Sequence, residues 1–510
     1  MEYLSQILAR NVRLLTERAF IVTARETLTY AQFDRRTAQL ANVMQARGIG
    51  AGDRVGLYLP STPLMAIAFW ACQRLGAIPA PISAMFRHAE LRQIIPHAGM
   101  KAIVADTSTW PYFAEIRDEL QTLEHCLVAS GDGSADDLEA MMARAPDTFE
   151  DRVCDPRDTA CLFFTSGTTG RPKGTAQSHF AIGSTLRDMM VSHRNRFGEE
   201  IYLCAVPLFT NYGLNVTLNL CLYCGGTIVL HERWDTQRVL ADIAKYQTTY
   251  FCGTPTMYVY MVNELDPDKH DLTSLRVCTT GGSPVPQPVI QRFESLSGAR
   301  VSQVYGSTET CGQNVMEPTM GVRKPGSVGR PHPGNEIVAR DAEGRDLPPG
   351  RVGQLWARTA TSSFAYHGDP ATTAAAHDAD GWFTVGDVGY LDADGYLFIT
   401  DRVSDMVISG GVNIYPREIE DCLHEHRDVI DCAVFGVPDD RWGEALVALV
   451  EVRPGASLGP DDVTAWIRSQ LADYKAPRRV AIVDHLPRDP NGKVRKAQLR
   501  SEWLAQAPSR

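Results

Sequence analysis

Positive charge is in short supply in this sequence: 50 lysines and arginines face 61 aspartates and glutamates, leaving a formal net charge of −11. That balance excludes the broad basic stripe with which a nucleic-acid binder neutralises phosphates, so an anionic ligand has to be held by a few local donors. Long apolar runs are missing too. The best candidate, from Leu57 to Met85, is interrupted by Pro60, Pro63, Gln73, Arg74, Pro79 and Pro81, and reads as globular interior rather than a membrane span. The segment Met1-Glu2-Tyr3-Leu4-Ser5 brings an acid early and no apolar core precedes Arg10, so a secretory signal is not expected and a cytoplasmic location is. The 12 cysteines show no spaced framework, which predicts reduced thiols. Cys221 and Cys224 sit in an apolar run without a second pair, and His424-Glu425-His426 lacks the spacing that puts two imidazoles on one helical face. Neither predicts a metal centre.

What is present is an ordinary globular composition, 44% hydrophobic over 510 residues. Since one core stops growing near about 250–300 residues, about two to four domains are expected. Up to about residue 310, short runs rich in Val, Ile and Phe alternate with stretches of helical period, the pattern of strand-helix units on parallel sheets. Thus 53–59 reads as a strand, Leu64 to Leu75 as a helix, Arg238 to Tyr246 as a helix and 249–252 as extended. From about 325 to 400 glycine turns follow one another closely, Asp392-Ala393-Asp394-Gly395 being a hairpin signal, and a β-rich subdomain is predicted. A compact α+β unit follows. Its first helix opens at Pro416, strands run over 431–437 and 445–452, and Val463, Trp466, Ile467 and Leu471 mark one face of a second helix.

The chemistry concentrates in glycine-containing polar loops that follow apolar strands. In Leu162 to Gly174 the strand runs into Thr165-Ser166-Gly167-Thr168-Thr169-Gly170-Arg171-Pro172-Lys173, where glycines let backbone amides approach an anion and hydroxyls and one lysine are added. Pro172 before Lys173 rules out a Walker A loop. Cys204 to Gly213, Leu275 to Pro284 and Val301 to Glu309 repeat the layout. Loops at the carboxyl ends of parallel strands converge on one crevice, so the four are expected to line a single site. Within it Tyr305 offers an aromatic plane for a base and Glu309 a carboxylate for a hard cation.

In order along the chain, Thr165 to Gly174, Tyr305-Gly306-Ser307-Thr308-Glu309, Trp382 to Asp387, Asp401-Arg402, Gly410-Gly411 and Pro487 to Lys493 together resemble the signature of the adenylate-forming superfamily, which contains acyl-CoA synthetases, peptide-synthetase adenylation domains and luciferases. The resemblance covers essentially the whole chain. It implies a large AMP-binding domain over 1–400, a hinge at 401–402 with Asp401 as its pivot, and a small C-terminal domain over 403–510. It also implies ATP, Mg2+ and coenzyme A, and roles residue by residue. The Thr165–Gly170 residues and Lys173 would hold phosphates, with Gly282, Ser283 and Pro284 beside the nucleotide. Tyr305 would stack on adenine, with Gly306 and Ser307 alongside. Thr308 and Glu309 would meet Mg2+ and phosphate, and Asp387 and Arg402 the ribose. Lys493, Thr165 and Glu309 would be catalytic. Gly410 and Gly411 would form part of a pantetheine tunnel, and Trp442 and Arg478 would meet the nucleotide end of coenzyme A. Thr210, Tyr212 and Gly282 would shape the acyl pocket.

Two departures stand out. Thr210 follows Pro207-Leu208-Phe209 where many relatives have an aromatic or histidine, and Ser404 replaces a common lysine in the hinge motif. The expected activity is an acid:CoA ligase acting on a monocarboxylic acid, fatty or ring-bearing, through an acyl-adenylate. The alternative is a stand-alone enzyme loading a carrier protein. Thr210 is not the aspartate that pairs an amino acid's ammonium group, and no carrier domain is expected after Lys493. A homodimer is left open.

Overall fold

A computed structural model describes residues 4–165, 173–283, 285, 287–362, 364–409, 412–439, 441–453, 455–489 and 492–506, the side chains of Thr165 and Asn413 excepted. The strand-helix reading holds in the first part of the chain. Strands Ile78–Pro81, Arg54–Tyr58, Ala102–Asp106 and His125–Ala129 form a wholly parallel sheet in that order. Helix Pro63–Leu75 opens on a proline and ends at Gly76, whose φ of 72° suits a residue without a Cβ. Every one of its residues from Leu64 onward is buried, which explains why its sequence shows an apolar run rather than a stripe.

A larger sheet carries nine strands. Its centre is parallel, running Val301–Ser307, Val277–Thr280, Tyr250–Gly253, Ile201–Cys204, Thr227–Leu230 and Ala19–Val22. The first, second, third and fourth of these end at one edge, so the segments after Ser307, Thr280, Gly253 and Cys204 lie side by side there. Three of the four predicted loops therefore converge as expected. The fourth has a different origin. Thr159–Thr165 pairs antiparallel with Lys173–Ser178, and Ala365–Tyr366 adds a third strand, so the Thr165–Gly174 segment joins an antiparallel pair instead of leading from a parallel strand into a helix. The glycine and hydroxyl content that suggests a phosphate loop says nothing about the direction of the strand that follows it.

The predicted β-rich region forms the antiparallel sheet Glu336–Arg340, Gly353–Arg358, Asp387–Leu391 and Leu397–Arg402, interrupted by helix Pro370–Ala376. The Asp392–Gly395 turn is closed by a 3.0 Å bond from Gly395 N to Asp392 O. This sheet extends past the expected boundary. Asp401 and Arg402 are the last residues of a strand, paired with Val388 and Asp387, and not a free linker.

The C-terminal unit has its own core, in which Val407, Ile419, Val434, Ala448, Val463 and Ile467 are buried together. Long strands Val429–Asp439 and Gly443–Val452 pair antiparallel, with Arg479–Val483 parallel beside them. Helices Pro416–His424 and Pro460–Gln470 pack against that sheet. Among the described residues no helix is long and apolar enough to cross a membrane.

Candidate active site

Strand Val301–Ser307 delivers Tyr305 to the sheet edge, where its Oη donates to Asp387 Oδ2 at 2.6 Å. Asp387 begins a strand of the neighbouring antiparallel sheet. Its Oδ1 accepts from Arg402 Nε at 2.9 Å, the two being register partners. Burial, and after it the Asp387 carboxylate, hold the Tyr305 phenol well above its ordinary pKa, so it stays a donor. The Asp387 charge likewise raises the pKa of Arg402.

The chain then turns sharply. A Cβ on Gly306 would lie 1.9 Å from Gly312 O, so only glycine lets the two strands approach there. Ser307 N donates to Thr310 Oγ1 at 2.8 Å, and the Thr310 hydroxyl also reaches Ser307 O and Gly312 O. Gln177 Nε2 donates to Thr308 O at 2.6 Å. Fixed in this way, the turn presents Glu309, whose Oε1 accepts from the Tyr366 hydroxyl at 2.7 Å. Lys173 Nζ lies 5.3 Å over the Tyr366 ring. A carboxylate with one oxygen tied down is a hard oxygen donor of the kind a small divalent cation shares with phosphates.

Lys493 comes from the other domain. The turn that carries it is closed by Asp489 N to Lys493 O at 2.8 Å and by Lys493 N to Asp489 Oδ1 at 2.9 Å. It reaches the large domain at two points. A Cβ on Gly282, which has φ 87°, would sit 3.8 Å from Lys493 Cε, and one on Gly492 would sit 3.5 Å from Thr256 Oγ1. The loss of surrounding water lowers the Lys493 pKa, with Arg402 pushing the same way and Asp489, Asp387 and Glu309 opposing. Gly282, Tyr305, Glu309, Asp387, Arg402 and Lys493 thus meet in one cleft, with Ser283 following Gly282 in the chain and Lys173 beside Tyr366.

Other expected residues lie elsewhere or are occupied. Thr210 Oγ1 donates to Pro207 O at 2.7 Å and accepts from Gly213 N at 3.0 Å, so its hydroxyl is turned to its own backbone. Tyr212 Oη donates to Gly253 O at 3.3 Å. Trp442 and Arg478 do come together, the guanidinium carbon 4.9 Å from the ring centroid, with Arg441 at the same distance, but on the small domain. Asp401 is buried, its Oδ1 accepting from Arg402 N at 2.8 Å and its Oδ2 from Arg417 N at 3.0 Å at the start of helix Pro416–His424. Ser166, Gly167, Thr168, Thr169, Gly170, Pro284, Gly410 and Gly411 lie outside the described residues, as does the side chain of Thr165.

Sequence reasoning missed two contributors. Tyr366 belongs to a short Phe-Ala-Tyr run with no polar signature. The second is an amide ladder: Asn219 Nδ2 to Asn215 Oδ1, Asn215 Nδ2 to Gln177 Oε1 and to Asn211 Oδ1, and Gln177 onward to Thr308. Asparagines four apart in the otherwise apolar stretch 211–219 were the available signal. They lie on and just before the π-helical segment Tyr212–Asn219, a geometry that recurs at functional sites.

A lysine carried by a small domain to the strand tips of a large one defines a two-domain, adenylate-forming architecture. The chain belongs to the AMP-binding enzyme family, whose main domain matches residues 8–367 and whose C-terminal domain matches 418–493. It is 34% identical over 477 residues to a feruloyl-CoA synthase from an Amycolatopsis species, covering 93% of this chain and 94% of that protein. It is 33% identical to an indoleacetate–CoA ligase from Aromatoleum aromaticum, covering 98% and 97%. Among solved structures, ATP-bound MatB from Rhodopseudomonas palustris superposes with a TM-score of 0.91 at 30% identity, covering 98% of this chain and 99% of that one, whereas apo MatB gives 0.79.

Proposed function

We infer that this protein is an ATP-dependent acyl-CoA synthetase, an acid–thiol ligase that forms AMP. A carboxylate oxygen attacks the α-phosphorus of ATP, the bond to the bridging oxygen breaks and pyrophosphate leaves. The thiolate sulfur of coenzyme A then attacks the acyl carbon of the mixed anhydride, and AMP leaves. The observation that carries this reading is the seating of Lys493 against Gly282, in the cleft that holds Tyr305, Glu309 and the Asp387–Arg402 pair. An ammonium group there bonds the substrate carboxylate and an α-phosphate oxygen as charge builds, a contribution of about 2.7–4 kcal/mol by comparison with a preorganised oxyanion donor. The better superposition on the ATP-bound relative supports assigning this domain arrangement to the adenylation step.

Tyr305 stacks on adenine, Asp387 and Arg402 hold the ribose, and the Thr165–Gly170 residues with Lys173 hold the phosphates. Glu309 holds Mg2+, which neutralises phosphate charge when bound. Residues 401–402 form the hinge between a domain over 1–400 and one over 403–510. Trp442 and Arg478 receive the nucleotide end of coenzyme A, with Gly410 and Gly411 in the pantetheine path. The acid is a monocarboxylate bearing a ring: the relatives are named for feruloyl and indoleacetate substrates, and residues 204–213 contain no cation for a second carboxylate. Twelve free cysteines support a reducing compartment, the cytoplasm.

The test is pyrophosphate release from ATP and Mg2+ with a panel of aromatic and fatty acids, with and without coenzyme A. Release that yields a CoA thioester is expected. Adenylate without thioester would point to a carrier protein as acceptor, and no release with any acid would overturn the reading.

A further inference from the structure

Outside the cleft, His424, Asp431 and Cys432 bring donor atoms within 4.8 Å of one another, the spacing of a metal site. The surroundings argue against one. Asp431 Oδ2 is paired with the Arg488 guanidinium, which repels a divalent cation, and burial pushes the Cys432 thiol well up, away from the thiolate a metal needs. Asp431 is instead fully engaged. Its Oδ1 faces His424 Nε2 at 3.0 Å and accepts from Cys432 N at 2.8 Å, while Oδ2 takes Arg488 Nη2.

From Arg488 the connection leads back to the cleft. Its Nη1 donates to Gly492 O at 3.0 Å, and Gly492, with φ 81°, immediately precedes Lys493. The guanidinium fork thus ties the turn that carries the lysine to strand Val429–Asp439, an edge strand of the small domain's sheet paired along its length with Gly443–Val452. We propose that Asp431 and Arg488 are positioning residues for Lys493, fixing the turn so that the ammonium group meets the reacting carboxylate and α-phosphate, with His424 steadying Asp431. This rests on the reading of Lys493 as the adenylation lysine. Neither residue touches substrate, and the demand on them is geometric: a shift of about 1 Å in a reacting group costs up to about a hundredfold in rate.

Arg488→Lys and Asp431→Asn test it, being changes of similar size that lose the two-ended bridge, since an ammonium group lacks the planar fork that reaches both Asp431 and the Gly492 carbonyl. Adenylation is followed by ATP–pyrophosphate exchange, and thioester formation from presynthesised acyl-adenylate and coenzyme A. The expected result is a fall of about ten- to a hundredfold in kcat for adenylation, with the KM for ATP and the thioester step each within about twofold of the parent. His424→Gln should give a smaller loss of the same kind. Equal losses in both half-reactions, a rise confined to KM, or no loss at all would overturn the positioning role. Lys493→Ala serves as the control: if that variant still adenylates normally, it is the functional reading that fails.

Discussion

Tyr366 and Glu309, 57 positions apart in sequence, are joined by a 2.7 Å hydrogen bond from the phenol to Oε1. Ala365–Tyr366 pairs with the strand that begins at Lys173, so the bond connects the hairpin beside the Thr165–Gly174 segment to the turn at the end of Val301–Ser307. Tyr366→Phe keeps the ring under Lys173 and removes only this bond. A hydrogen bond to a charged group contributes about 1.5–3 kcal/mol, so the Mg2+ concentration for half-maximal adenylation should rise about tenfold or more. An unchanged magnesium titration would show that Glu309 does not depend on Tyr366.

Asp387 links Tyr305 to Arg402. Asp387→Asn retains a hydrogen-bonding group but loses the charge that Arg402 faces, and should raise the KM for ATP by about ten- to a hundredfold with a smaller effect on the KM for the acid. Tyr305→Phe should fall between the variant and the parent. Steady-state kinetics with each substrate varied in turn decides it.

Lys493→Ala should abolish adenylation while leaving thioester formation from presynthesised acyl-adenylate near the parent rate. Single-turnover measurement of each half-reaction separates the two steps, and matched losses in both would contradict a small domain that serves them in different orientations.

Stability should fall on mild acidification. Burial lowers the pKa of His179 and His193 to about 4 and that of His332 to about 3, against an ordinary value of 6.5. Between those limits the unfolded chain binds protons that the native protein does not, so stability rises with pH there and is lost as pH falls from 6.5 toward 4. Each histidine adds a slope approaching about 1.4 kcal/mol per pH unit. His424, whose partner Asp431 raises its pKa, contributes little slope below the ordinary value. Urea midpoints at successive pH values should drop, and His332→Gln should reduce the slope. A flat profile would refute the neutral buried histidines.

Much of the large domain was legible because strand and helix periods differ and because glycines mark the strand tips. Helix Pro63–Leu75 and the Asp392–Gly395 turn follow directly from local chemistry. The antiparallel course of Lys173–Ser178 was not legible, since pairing direction is set by partners distant in sequence. Nor was the role of Tyr366, whose importance comes from Glu309 across a sheet. Thr210 shows what a motif position leaves out: it suggests a residue of the acyl pocket but not that the hydroxyl, so close to Pro207 and Gly213, bonds their backbone. The Asp431–Arg488–Gly492 bridge joins residues that no period or short motif relates.

The strand ending at Arg402 bears on how the small domain would turn. Because Asp401 is paired with Val388 and its carboxylate holds the first turn of helix Pro416–His424, swinging that domain is an unzipping rather than the flexing of a loose tether. The same two residues would then act as a catch, keeping the lysine in place until adenylate has formed and setting a barrier between the half-reactions.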